Sequence, residues 1–224
     1  MQLDDFNPLD FPPPERREGC KLYLISPQDV GGNFADRLKS VVGFESVAAF
    51  QLRVKDVAEH ELARQAEPLQ RICADAGVAF IVNDSMQLAK RLGADGVHLG
   101  QQDGDVREAR ALLGPDRQIG VTCHDSRHFA MEAAEAGADY VAFGAFFPTT
   151  TKPSHYRPDP SVLSWWASLF EIPCVAIGGI TPGNARQLIE AGADFLAVCQ
   201  AVWGAPDQRT VVTEFEGLFS SVNG

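Results

Sequence analysis

The chain has 224 residues, 45% hydrophobic and 22% charged, which suits one domain with a sizeable core better than two small ones. A formal net charge of −11 argues against a general binder of nucleic acid or of an anionic membrane, since both require a basic surface. A phosphorylated small molecule stays within reach, because a few local cations or a metal ion can dominate one site.

In chain order, residues 1–20 are acidic, contain Pro12-Pro13-Pro14 and lack periodicity, so they are expected to form an irregular arm ahead of a domain spanning 21–224. The arm has neither the basic nor the apolar region of a leader, and no apolar stretch approaches the roughly 20 residues of a membrane span. Eight apolar runs follow, at Lys21–Ser26, Ser46–Arg53, Ala79–Asp84, Gly96–Gly100, Gln118–Cys123, Tyr140–Phe146, Pro173–Gly179 and Phe195–Ala201. Most are near-continuous, as parallel strands buried on both faces should be.

Helical segments alternate with them. Asp84-Ser85 can cap a helix with apolar face Met86, Leu88, Ala89 and Leu92. Thr181-Pro182 is a good start for another, and the Asp56–Ala76 segment is expected to kink or break at Pro68. Gly-Ala-Asp precedes the fourth, sixth and eighth runs, beginning at Gly93, Gly137 and Gly192, with glycine as the helix C-cap. Eight alternating units, with no GxGxxG after the first strand, predict a (β/α)8 barrel. The five cysteines, Cys20, Cys73, Cys123, Cys174 and Cys199, have no zinc spacing, and three lie inside apolar runs. They read as buried side chains of a reducing compartment, and a cytoplasmic location is expected.

In a barrel of this kind the site lies at the carboxyl ends of the strands. The second run ends in Gln51, Arg53 and Lys55, at alternating positions. The third ends in Asn83 and Asp84 and the fourth leads to Asp103; each carboxylate alone can be a helix cap, which for Asp84 by itself is the better reading, but together they are candidates for one divalent cation. Without a metal they would pair with Arg53 and Lys55. The fifth run ends in Thr122-Cys123-His124; Cys123 suits the core, and His124 suits an acid/base group, a substrate contact or a cap. Thr149, Thr150, Thr151 and Lys152 form a loop fitted to phosphate. Gly178-Gly179 after the seventh run, and a short helix expected near Cys199-Gln200 after the eighth, match a barrel phosphate cradle of backbone amides. One monophosphate cradle opposite a second anion site suggests transfer of a group away from a pyrophosphate.

With these residues in view the chain resembles the thiamine phosphate synthase family. QLRVKD, FIVND, DGVHLGQQD, IGVTCH, the PTTTK loop and VAIGGI occur in that family's order from about Lys21 to the last helix. The resemblance implies a (β/α)8-barrel transferase that joins a hydroxymethylpyrimidine diphosphate to a hydroxyethylthiazole phosphate, releases pyrophosphate and uses magnesium. It implies Asp84 and Asp103 as magnesium ligands, and Arg53, Lys55, Asn83 and Lys152 as diphosphate ligands. Gln51 and Thr122 would meet the pyrimidine, and Thr149, Thr151, Gly179, Cys199 and Gln200 the thiazole phosphate. Arg53, Lys55, Thr122 and Lys152 would carry the catalytic effect by positioning and charge stabilisation, with small molecules as partners and a homo-oligomer possible. The chain departs from the family with Thr122 and Gln200 in place of serines, Phe195 in place of a glycine and Ser26-Pro27 in place of Thr-Asp. Two other readings stand beside it. One is a related thiazole tautomerase using His124; the other is a barrel that binds thiamine precursors without turnover.

Overall fold

The computed structural model describes residues 19–149 and 155–223. The expected arm, apart from Gly19 and Cys20, therefore lies outside the described residues, as do Thr150, Thr151 and Lys152. Eight parallel strands close a barrel in the order of the sequence: β1 (Lys21–Ile25), β2 (Val47–Leu52), β3 (Ala79–Asn83), β4 (Gly96–Leu99), β5 (Gln118–His124), β6 (Tyr140–Gly144), β7 (Cys174–Ile177) and β8 (Phe195–Val198). Each coincides with one of the eight apolar runs. The helices between them are α1 (Phe34–Val42), α2 (Glu59–Ala76), α3 (Met86–Leu92), α4 (Val106–Leu113), α5 (Arg127–Glu135), α6 (Ser161–Leu169) and α7 (Pro182–Glu190), with α8 (Gln200–Trp203) and α9 (Gln208–Asn223) after β8.

Strand periodicity divides the side chains into two cores. Leu22, Leu24, Phe50, Leu52, Phe80, Val82, Val97 and Leu99 point out beneath the helices and join the large outer core. The alternate residues fill the barrel: Tyr23, Ile25, Ala49, Ile81, Tyr140, Ala142, Val175 and Ala197 form its interior, with Phe195 packed against them. That parity, continued upward, brings Gln51 after Ala49, Asn83 after Ile81 and Cys199 after Ala197 to the carboxyl end of the barrel. Interior space is matched by size: a Cβ on Gly120 of β5 would lie 1.9 Å from the Tyr140 ring of β6, so the small residue makes room for the large one.

The Gly-Ala-Asp echo has a definite structural job at the opposite end. Asp95, Asp139 and Asp194 each accept, through Oδ2, a backbone N–H from the start of the preceding strand: Phe80 (2.8 Å), Ile119 (2.6 Å) and Cys174 (2.8 Å). Their own amides donate back to the carbonyls of the same three residues. The alanines are buried. Gly93 is itself the left-handed C-cap of α3, whereas α5 and α7 cap at Ala136 and Ala191 and the glycine follows.

One part of an expectation is corrected: there is no break at Pro68, and α2 runs through it. Pro68 and Arg64 are both exposed, so the carbonyl that loses its helical donor lies on the solvent side, while Ala66, Leu69 and Cys73 bury the other face. The cysteines meet the expectation of burial, Cys199 being half-buried at the rim. No helix among the described residues is long and apolar enough to cross a membrane.

Candidate active site

The carboxyl ends of the strands surround a cavity of about 570 Å³. Gln51, Arg53, Lys55, Asn83, Asp84 and Thr122 line one part of it, and Thr149, Gly179, Cys199 and Gln200 another. The residues singled out in the sequence, Thr150, Thr151 and Lys152 aside, are thus gathered at one rim. Asp103 is not a lining residue but stands beside Asp84.

Loop contacts hold the cationic side. The buried Ser26 hydroxyl accepts the Arg53 amide (2.9 Å), and the Gln28 side chain brackets Lys55, accepting its amide (3.2 Å) and donating to its carbonyl (2.5 Å). Ser26 therefore does a backbone-anchoring job at its position after β1. The Lys55 ammonium meets Asp84 Oδ2 at 3.1 Å. Asp84 takes φ 67°, a left-handed conformation that Asp and Asn tolerate better than most residues. Its amide donates to the His98 carbonyl (2.8 Å).

Neither carboxylate is the helix cap. Ser85 caps α3 and Asp105 caps α4, leaving Asp84 and Asp103 free of that duty. Asp103 Oδ2 accepts the Gly100 amide (2.9 Å). Its acidity is weakened, its pKa raised above the ordinary value, first by partial burial and then by the neighbouring Asp84 carboxylate; the Gly100 amide and Lys55 offset this only in part. Two neighbouring carboxylates, one of them paired with Lys55, are the kind of donors a magnesium ion takes, since it uses few protein ligands and completes its shell with phosphate oxygens and water. Among the described residues no larger group of His, Cys, Asp and Glu offers an alternative.

Across the cavity, Gly178 and Gly179 have φ 103° and 64°. A Cβ on Gly179 would lie 2.3 Å from the Pro148 carbonyl oxygen, so glycine allows the loop after β6 to press against the loop after β7. Asn184 Nδ2 donates to the Gly179 carbonyl (3.0 Å), which fixes the turn. α8 begins directly after Cys199, as the expected short helix does. Phe195 sits at the opposite end of β8, against the interior cluster, so this departure alters the barrel floor and not the rim.

His124 lines the cavity with φ 57° at a register irregularity of β5, and its ring stacks on Tyr156 at 4.2 Å. His98, Tyr23 and Tyr140 were not singled out in the sequence. They form a buried polar chain at the base of the cavity, which His98 also lines, visible in the sequence only as polar residues inside the runs that become β4, β1 and β6.

Fold and cavity together define a (β/α)8-barrel enzyme with its site at the carboxyl rim and opposed cationic, acidic and amide-rich walls. The family model described as thiamine monophosphate synthase matches residues 22–202, and the chain belongs to that family. It is 62% identical over 199 residues to a thiamine-phosphate synthase of Erythrobacter litoralis, covering 87% of this chain and 93% of the relative. It is 53% identical to one of Rhodospirillum centenum, covering 84% and 91%. A solved structure of thiamine phosphate pyrophosphorylase from Pyrococcus furiosus superposes with TM-score 0.80 at 30% identity, covering 91% of this chain and 97% of that one. The chain is a transferase of the thiamine phosphate synthase type.

Proposed function

We propose that the chain joins hydroxymethylpyrimidine diphosphate to hydroxyethylthiazole phosphate, forming thiamine phosphate and releasing pyrophosphate with magnesium bound at Asp84 and Asp103. The observation that carries this reading is Asp84, paired with Lys55 on one wall of the cavity and backed by the neighbouring Asp103, opposite a wall formed by Gly179 and the start of α8. Bound magnesium would supply positive charge to the departing diphosphate.

The chain's own groups do the rest. Arg53, Lys55 and Asn83 orient the diphosphate and stabilise the charge that grows on it as the bond to the pyrimidine methylene breaks; Lys152 is assigned the same duty. Gln51 and Thr122 hold the pyrimidine, so that its electron-rich ring can stabilise the resulting cation until the thiazole nitrogen attacks. Amides at Gly179 and Cys199-Gln200, with Thr149 and Thr151, hold the thiazole phosphate. No protein nucleophile is needed. The thiols of Cys123 and Cys174 accord with this, since burial pushes the first up to about 12 and the second well above its ordinary range.

The test is coupled detection of pyrophosphate with both substrates and magnesium. Release that requires all three is expected. No release would sink the reading, and magnesium-independent isomerisation of a thiazole that disappears in His124→Ala would replace it with a tautomerase.

A further inference from the structure

At the base of the cavity, five polar side chains from five strands form one continuous hydrogen-bonded chain. Gln51 Nε2 of β2 donates to Tyr23 Oη of β1 (3.2 Å). Tyr23 Oη meets Tyr140 Oη of β6 (2.8 Å). Tyr140 Oη meets His98 Nδ1 of β4 (3.1 Å), and His98 Nε2 meets Thr122 Oγ1 of β5 (2.8 Å). Gln51, Tyr23, Tyr140 and His98 are all at least nine-tenths buried. Gln51 and Thr122 at the ends, and His98 between them, line the cavity.

Each hydroxyl in such a chain has one proton to place and lone pairs that can accept, and a buried proton without an acceptor is costly. With Gln51 Nε2 turned to Tyr23, every buried proton of the chain finds an acceptor in one arrangement: the Tyr23 proton goes to Tyr140, the Tyr140 proton to His98 Nδ1, and a His98 proton on Nε2 to Thr122. Thr122 then turns its own proton towards the cavity, where no described residue accepts it, and Gln51 keeps Oε1 for a ligand. Burial pushes both phenols far above their ordinary range, so each stays protonated and passes on one hydrogen bond. Gly120 preserves the space for the Tyr140 ring.

We infer that Tyr23, Tyr140 and His98 are positioning residues that couple Gln51 to Thr122, so that the pair presents one acceptor and one donor and selects an amino-substituted nitrogen heterocycle over its oxo counterpart. This rests on the proposed function, in which that pair meets the pyrimidine. An aminopyrimidine donates from its amino group and accepts at a ring nitrogen, which matches. A 4-oxo analogue places a carbonyl where the amino group was and a proton on the adjacent ring nitrogen. To accommodate it Gln51 would have to flip, and the whole relay would have to reverse, including the histidine tautomer. A relay of buried groups makes this one concerted change and not a local adjustment.

Two measurements on the full chain test this. In the first, kcat/KM is compared for the aminopyrimidine diphosphate and its 4-oxo analogue in wild type, Tyr23→Phe and Tyr140→Phe. Wild type is expected to prefer the amino compound by on the order of 10² or more. Each variant is expected to narrow that ratio by about tenfold, because an unanchored Gln51 can turn. An equal fall for both compounds, or an unchanged ratio, overturns the inference. In the second, NMR of nitrogen-labelled histidine reads the His98 tautomer, assigned through His98→Gln. A proton on Nε2 with a bare Nδ1 is expected, and a proton on Nδ1 alone overturns the relay even if a tyrosine variant fails to fold. Wild type that turns over neither compound overturns the proposed function and the selectivity with it, while the tautomer still decides the relay by itself.

Discussion

At the amino-terminal end of the strands Asp95, Asp139 and Asp194 each direct a carboxylate oxygen to a backbone N–H at 2.6–2.8 Å. At the other end Asp84 and Asp103 face one another, and their helices are capped by Ser85 and Asp105 instead. The lower carboxylates satisfy donors that the barrel would otherwise leave unpaired, so they act on folding. The upper pair places like charges together, an arrangement that folding alone does not favour and a cation would relieve. One residue type thus separates into a stability role and a site role by position along the strand.

The largest expected effect falls on the upper pair. Asp84→Asn suits the test because asparagine tolerates the left-handed backbone at this position. Pyrophosphate release is expected to fall by on the order of 10²–10³, a typical loss for one group that stabilises developing charge. Without metal the variant should be no less stable than wild type. Magnesium with the pyrimidine diphosphate should raise the Tm of wild type and leave the variant's nearly unmoved. A variant that keeps full activity would merge the two ends into one structural class.

Asp139→Ala probes the lower end. It removes the acceptor for the Ile119 amide and the partner of Arg110 (2.6 Å), which itself binds the carbonyls of Gly114, Arg117 and Gly137. Hydrogen bonds to charged groups are each worth about 1.5–3 kcal/mol, so urea denaturation should show a loss of about 2 kcal/mol. Activity per folded molecule should be unchanged. A variant of normal stability but low activity would reverse the assignment.

The strands were legible because burial on both faces writes them as continuous apolar runs, and the number eight then fixed closure. The Gly-Ala-Asp triplets were legible as a repeat, but the bond from each aspartate to the preceding strand depends on register, which spacing does not encode. Asp84 and Asp103 were legible as a pair through their places after β3 and β4, although each alone read as a cap. The chain Tyr23–Tyr140–His98 was not: its members lie 117 and 42 residues apart, and a polar residue inside an apolar run looks the same whether it faces inward or outward. Pro68 misled for a related reason, since the propensity against proline assumes a helix with no buried face to hold it, and Leu69 and Cys73 supply one.

The smallest effect tests whether position or partner decides an aspartate's role. Asp159 lies in the loop after β6, at the site end, yet it accepts the Ser161 amide at 2.9 Å, just ahead of α6. That amide first, and the Ser161 hydroxyl second, hold its pKa below the usual carboxylate value. A carboxyl with a lowered folded-state pKa adds stability that is complete above the unfolded value and disappears as pH falls through the folded one. Asp159 is exposed, so solvent screening limits the gain. Asp159→Ala should cost about 0.5 kcal/mol near neutral pH, and the gap from wild type should close as the solution is acidified below the ordinary carboxylate range. Urea titrations of both proteins at a series of falling pH values measure it. A gap that closes in acid, with pyrophosphate release intact, puts Asp159 with the lower aspartates by virtue of its partner. A gap independent of pH would mean that the carboxylate charge contributes nothing there, and that proximity to the site outweighs the backbone donor.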